Sequence, residues 1–207
     1  MGKTLIFGGT FNPPHIGHVQ MAQAAAALSA VEEVWILPTK LPVHKFVGNA
    51  LASGEHRMQM CRLAFGGIEK IRFSDMELQT QEKNYSLTTV RALKAAYPKK
   101  EFAFLIGGDS LIHFHEWYHY WELLQEIPLY VFGRGDCSPA AFDAALQARR
   151  AEQGNIRVID EEIDSVSSAE IREKLRTAQS VTGLVPEAVE DYIRQHGLYL
   201  EGNGFDG

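Results

Sequence analysis

The segment GGTFNPPHIGHV, Gly8 to Val19, follows the apolar run TLIF and precedes an alanine-rich stretch. Two glycines, two prolines and two histidines in that order mark the end of one element and the start of another. TLIF has the length and composition of a buried parallel strand. Gly8 and Gly9 let backbone amides approach an anion, because no Cβ stands in the way. Asn12-Pro13-Pro14 forces a rigid turn, with Asn12 able to bond nearby amides. A helix starting near Ile16 directs its positive end at the same space. His15 and His18, three residues apart, would share one face of its first turn. Imidazole donors beside a phosphate can stabilise charge that builds up during phosphoryl or nucleotidyl transfer. Taken alone, the stretch also reads as an ordinary strand-to-helix turn. It is neither the GxxxxGK[ST] loop nor GxGxxG, and its two histidines have no HExxH pattern and no nearby third zinc ligand.

Outward from this stretch, short apolar runs alternate with longer amphipathic segments. Strands are expected at Thr4–Phe7, Glu33–Leu37, Ile71–Ser74, Phe102–Ile106, Leu129–Phe132 and Ile156–Ile159. Helices are expected at Ile16–Ser29, Glu55–Phe65, Ser86–Tyr97, Trp117–Gln125, Pro139–Gln153, Ser167–Thr177 and Pro186–His196. The alternation predicts an α/β fold: a doubly wound, Rossmann-like parallel sheet with helices on both faces and a small C-terminal helical subdomain. One domain over 1–200 is expected, its C-terminal helical part at about 166–200, followed by a flexible tail at 201–207. Thr39–Ser53, with Pro42 and Gly48 as breakers, reads as a mobile loop.

Composition narrows the function classes. Hydrophobic residues make up 45% and charged residues 22% of the 207, the balance of an ordinary globular protein. A net charge of −6 argues against a broad grip on nucleic acid but allows a local basic pocket. Two cysteines, Cys61 and Cys137, without a CxxC neighbour point to a reducing compartment and no cysteine zinc site. No apolar run approaches a membrane span or a signal peptide, so a cytoplasmic location and no membrane partner are expected.

GGTFNPPHIGH resembles the T/HxGH signature of the nucleotidyltransferase superfamily of adenylyl- and cytidylyltransferases. The resemblance implies that His15 and His18 bind the phosphates of a nucleoside triphosphate and stabilise the transition state, with Gly8, Gly9, Thr10 and Phe11 on the ATP side. SVSSAEIREKL resembles the family's ISSTxIR motif, matched by Val166, Ser167, Ser168, Ile171 and Arg172, with Ala169 where the family has Thr. Ser167, Ser168 and Arg172 would meet triphosphate. The residues themselves agree: Ser167 or Ser168 would cap a helix start facing an anion, and Arg172 would supply a fixed charge.

Further segments are similar to those of bacterial nicotinate-mononucleotide adenylyltransferases. LPTKLPVHK, Leu37 to Lys45, resembles the PxxxPPHK loop and would bring Lys45 to phosphate. NYSLTTV resembles YTxxTL and implies Tyr85 and Ser86 at the mononucleotide, while Ser86 is also a helix N-cap on local grounds. FLIGGDSLIHFHEWY resembles IIGxDSLxxxxxW, which implies Gly107 and Asp109 on the ATP side and Trp117, with Tyr118, at the pyridine ring. Without that motif, Trp117 and Tyr118 read as core. Arg134 in FGRG matches an arginine near the adenine, and VPEAVEDYIRQHGLY matches the family's ending, read as a packing element.

What the resemblance implies is adenylyl transfer from ATP to nicotinate mononucleotide, with His15, His18, Lys45 and Arg172 as the catalytic set. Mg²⁺ would be carried on ATP, with no protein metal site. Phosphopantetheine adenylyltransferase and a non-catalytic nucleotide-binding module on the same fold are the alternatives. His113, His115 and His119 form a cluster for which exposed helix positions are the simpler reading than a metal site.

Overall fold

The computed structural model describes residues 2–40, 51–80, 85–133 and 138–200. Six strands form one sheet: β1 (Lys3–Gly9), β2 (Val31–Pro38), β3 (Ile71–Phe73), β4 (Glu101–Gly107), β5 (Leu129–Phe132) and β6 (Ile156–Ile159). Their order is β3-β2-β1-β4-β5-β6 and every pairing is parallel. The order reverses between β1 and β4, which opens a crevice at the carboxyl ends of those two strands.

Side chains along each strand alternate between two apolar layers, which is why the runs show no polar alternation. Leu5, Phe7, Val34, Ile36 and Leu105 pack under α1 (Ile16–Ala27) and α2 (Gly54–Phe65) on one face. Ile6, Leu37, Phe104, Ile106 and Val131 face α4 (Ser86–Ala96), α6 (Tyr120–Glu126) and α7 (Pro139–Ala151) on the other. α8 (Ser168–Arg176) and α9 (Glu187–Gln195) bury Ile171, Val189 and Ile193 in the same apolar layer as α1 and α2. Two short helices, α3 (Met76–Gln79) and α5 (Gly108–Ile112), have too few residues to leave a periodic signal.

The expected helix from Trp117 starts later, at Tyr120. His119 adopts a left-handed backbone (φ 49°), and a 3-10 turn over Phe114–Glu116 precedes it, so Trp117 and Tyr118 lie in the break between them. Residues 41–50, which include most of the Thr39–Ser53 loop, and the tail 201–207 lie outside the described residues. Among the described residues, no helix is long and apolar enough to cross a membrane.

Candidate active site

β1 ends on Gly8 and Gly9 beside the crevice, and Phe11 turns the chain with a left-handed backbone (φ 47°). A Cβ on Gly9 would lie 3.0 Å from the Phe11 ring, so this glycine lets the ring fold back over the strand end. The chain then reaches α1, whose N-cap is His15.

The two histidines hold each other. His15 donates its backbone N–H to His18 Nδ1 (3.2 Å), and His18 donates its own to His15 Nδ1 (3.4 Å). This is a capping box built from imidazoles rather than from a hydroxyl and a carboxylate. The rings stack with centroids 3.6 Å apart, and Phe11 meets His18 edge-on at 5.1 Å. Because each Nδ1 accepts, a neutral ring carries its proton on Nε2, which makes Nε2 the donor nitrogen of both histidines.

The helix start differs from expectation in one respect. Two of its first-turn amides are spent inside the protein: Ile16 N–H donates to the Leu184 carbonyl (2.9 Å) and His18 N–H to His15. The positive end of the helix remains, but imidazole rather than those amides is what it presents.

The second motif docks on the first. Ser167 caps α8, accepting from Glu170 N–H (3.1 Å), while the Ser168 hydroxyl donates to the Pro13 carbonyl (2.9 Å). Arg172 donates to the Asn12 carbonyl (2.8 Å), and burial pushes its guanidinium below the ordinary value. Residues 160 apart in sequence therefore share one turn. The Asn12 side chain reaches beyond its own turn. Its Oδ1 accepts from Ala52 N–H (3.0 Å) and from the Tyr199 hydroxyl (2.7 Å), both distant in sequence.

Two residues outside the expected set thus belong to the site's support, Tyr199 and Arg57. Tyr199 gives the YIRQHGLY ending a polar role beside its packing one. Arg57 is 1% exposed and donates to three carbonyls, those of Thr10 (2.9 Å), Lys40 (3.1 Å) and Ala52 (3.0 Å). Its signal was positional: Arg57, Met60, Cys61 and Ala64 recur at helix spacing and all are buried, so the arginine stands on the apolar stripe.

Across the crevice, β4 ends on Gly107 and α5 begins at once. A Cβ on Gly107 would sit 2.7 Å from Asp109 Oδ1, so the glycine leaves room for that exposed carboxylate at the helix start. Phe104 links the two sides. Its ring lies 3.7 Å from the Cβ position of Gly8 and packs on Trp117 at 6.0 Å between centroids. Trp117 also leans on Phe114 (5.0 Å) and is partly buried. Tyr85 stacks on the exposed Tyr118 with centroids 4.1 Å apart. Tyr85, not Ser86, is the N-cap of α4. Its extended backbone makes Ser86 the first helical residue, and no side chain bonds at that cap.

Gly8, Gly9, Thr10, Phe11, His15, His18, Ser167, Ser168 and Arg172 are therefore brought together, with Gly107 and Asp109 at the end of the neighbouring strand. Tyr85, Ser86 and Tyr118 form a second group. Lys45 and Arg134 lie outside the described residues. His113 and His115 both meet Glu116, His115 also bonds the Ile112 carbonyl, and His119 meets Glu122.

Comparison with known proteins agrees with this fold. The Cytidylyltransferase-like family profile matches residues 6–174. The chain is 36% identical over 203 residues to a protein of Symbiobacterium thermophilum, covering 98% of this chain and 97% of the relative. It is also 36% identical over 203 residues to one of Shouchella clausii, covering 98% and 100%. Both carry the name "Probable nicotinate-nucleotide adenylyltransferase". The solved Plasmodium falciparum nicotinic acid mononucleotide adenylyltransferase in complex with NaAD superposes with a TM-score of 0.81 at 20% identity, covering 96% of this chain and 98% of that one. The chain belongs to the cytidylyltransferase-like family and, within it, to the nicotinate-nucleotide adenylyltransferases.

Proposed function

We infer that this protein transfers the adenylyl group of ATP to nicotinate mononucleotide, forming deamido-NAD and pyrophosphate in the synthesis of NAD. The observation that carries the reading is the convergence of the stacked His15–His18 pair and the Ser168–Arg172 helix on one turn at the reversal of the sheet.

In the reaction, a phosphate oxygen of the mononucleotide attacks the α-phosphorus of ATP in line. A P–O bond forms, the bond from the α-phosphorus to the bridging oxygen breaks, and pyrophosphate departs with the electron pair. Such a transfer needs position and charge rather than a covalent intermediate. The Nε2–H groups of His15 and His18 donate to phosphate oxygens as charge builds up, and Lys45 and the remaining donors of Arg172 neutralise it. Gly8, Gly9, Thr10 and Phe11 line the approach of the triphosphate, Ser167 and Ser168 its far end, and Asp109 the ribose, with Gly107 toward the nucleoside; the family resemblance also assigns Arg134 to the nucleoside. Tyr85, Ser86, Trp117 and Tyr118 form the mononucleotide side, where flat rings suit a pyridine.

The donor set around the turn consists of imidazole, guanidinium and hydroxyl groups. These suit phosphate oxygens, not a hard divalent cation. Mg²⁺ would enter with the triphosphate as part of the substrate and would offset phosphate charge there. The sparse cysteines favour a reducing, cytoplasmic setting.

Purified protein is expected to release pyrophosphate from ATP only when a pyridine mononucleotide is added, with a higher kcat/KM for nicotinate than for nicotinamide mononucleotide. ATP binding without turnover of either would overturn the reading in favour of a non-catalytic module.

A further inference from the structure

Arg57 lies in the first turns of α2 and reaches no ligand space of its own. Its three hydrogen bonds all run to main-chain carbonyls of irregular segments, which have no strand or helix partners to satisfy them. Those carbonyls belong to Thr10, in the turn that leads to His15, and to Lys40 and Ala52. Ala52 is held twice, because its N–H also donates to Asn12 Oδ1. Arg57, Ala52 and the Thr10–Asn12 turn thus close a ring of hydrogen bonds in the segment that leads into His15.

Packing alone would not select this side chain. Among the described residues, no Asp or Glu lies within ion-pair distance of Arg57, and the ionisable groups close to it are Cys61 and Tyr199. Burial pushes both of those groups upward, so both are neutral at physiological pH. Burial also pushes Arg57 down from its ordinary value, the desolvation cost of a buried charge that its hydrogen bonds to three carbonyls offset. What the guanidinium supplies, and a hydrocarbon or an ammonium cannot, is a rigid fork of donors able to span three carbonyls at once.

We propose that Arg57 is a positioning residue for adenylyl transfer: it fixes the Thr10 carbonyl against Lys40 and Ala52, and so sets where the turn delivers His15 and His18. The proposal rests on the function inferred above. Displacement of a turn by a fraction of an ångström leaves most ground-state contacts with ATP in place but spoils the alignment on which the transfer depends.

The test compares wild type with Arg57→Lys, which keeps the charge and loses the fork, and with Arg57→Gln, which keeps two donors and loses the charge. Wild-type pyrophosphate release is measured first. Its absence would overturn the functional reading itself. With active wild type, Arg57→Lys is expected to lower kcat by about 10- to 100-fold, while KM for ATP and the Kd of a non-hydrolysable ATP analogue change less than about threefold. Arg57→Gln is expected to fall in the same direction. A folded Arg57→Lys or Arg57→Gln with kcat within twofold of wild type overturns the proposal. So does a uniform loss in which the ATP constants weaken as much as kcat. If circular dichroism shows that neither variant folds, Arg57 is purely structural and the proposal fails as well.

Discussion

Around the Thr10–His18 turn, the braces come from far along the chain: Arg57 from α2, Ser168 and Arg172 from α8, and Tyr199 from beyond α9. Asn12, at the middle of that turn, is 1% exposed. Around Tyr85 and Tyr118 the arrangement is the reverse. Tyr118 is 46% exposed, sits between a 3-10 turn and a short helix, and is matched mainly by the ring stacked on it. The first region is built to keep donors at fixed distances, as charge stabilisation requires. The second offers flat apolar faces, whose contacts tolerate small displacements. In the proposed reaction, transfer chemistry would fall to the braced region and recognition of the second substrate to the more exposed one.

The sharpest way to break this contrast is His18→Ala. Loss of the donor at the transferring phosphate is expected to lower kcat by about 10²- to 10³-fold. The variant also loses half of the imidazole capping box, at a cost of about 1 kcal/mol, so a thermal melt should show a folded protein. Near-normal kcat in a folded variant would detach the histidines from the chemistry. Arg172→Ala removes a charged hydrogen bond to the Asn12 carbonyl and is expected to reduce kcat/KM for ATP by about 10- to 100-fold. Tyr118→Ala probes the other region. It should raise KM for the mononucleotide by about 3- to 10-fold, the worth of one aromatic contact, and leave KM for ATP unchanged. An equal effect on both substrates would remove the distinction between the regions.

Smaller effects sharpen the picture. Tyr199→Phe deletes one buried hydrogen bond while Ala52 still donates to Asn12, so a loss of about 1 kcal/mol in denaturant unfolding is expected, with kcat within about twofold. Far from the site, Glu33 provides a pH probe. Burial opposes its ionisation, but hydrogen bonds from Lys100, Trp35 and Arg72 hold it down to about 2. A native value below the unfolded one stabilises the fold above the ordinary carboxylate range, and that contribution is lost as pH falls toward 2. Glu33→Gln should therefore flatten the fall in Tm between pH 5 and pH 2 without altering kcat at pH 7.

Much of this was legible from residue order. All six strands lie where the apolar runs placed them, because strands buried on both faces leave an uninterrupted signal. The stacking of His15 on His18 follows from their spacing at a helix start. Features made by distant partners were not legible. Nothing near Asn12 announces that its side chain will bond Tyr199. The start of α6 was misplaced because the left-handed backbone of His119 depends on packing, not on residue type. Arg57 left only a faint trace, a cation on an otherwise apolar helical stripe.

The bond between Asn12 and Tyr199 spans 187 residues. During synthesis, the strands and helices that flank the histidines can assemble while the last segment is still being made, yet the turn between them lacks its Tyr199 bond until that segment arrives. This early part of the nascent chain is therefore among the last to gain its full set of hydrogen bonds, and a product interrupted before Tyr199 would carry every motif residue from Gly8 to Arg172 while lacking that bond to Asn12.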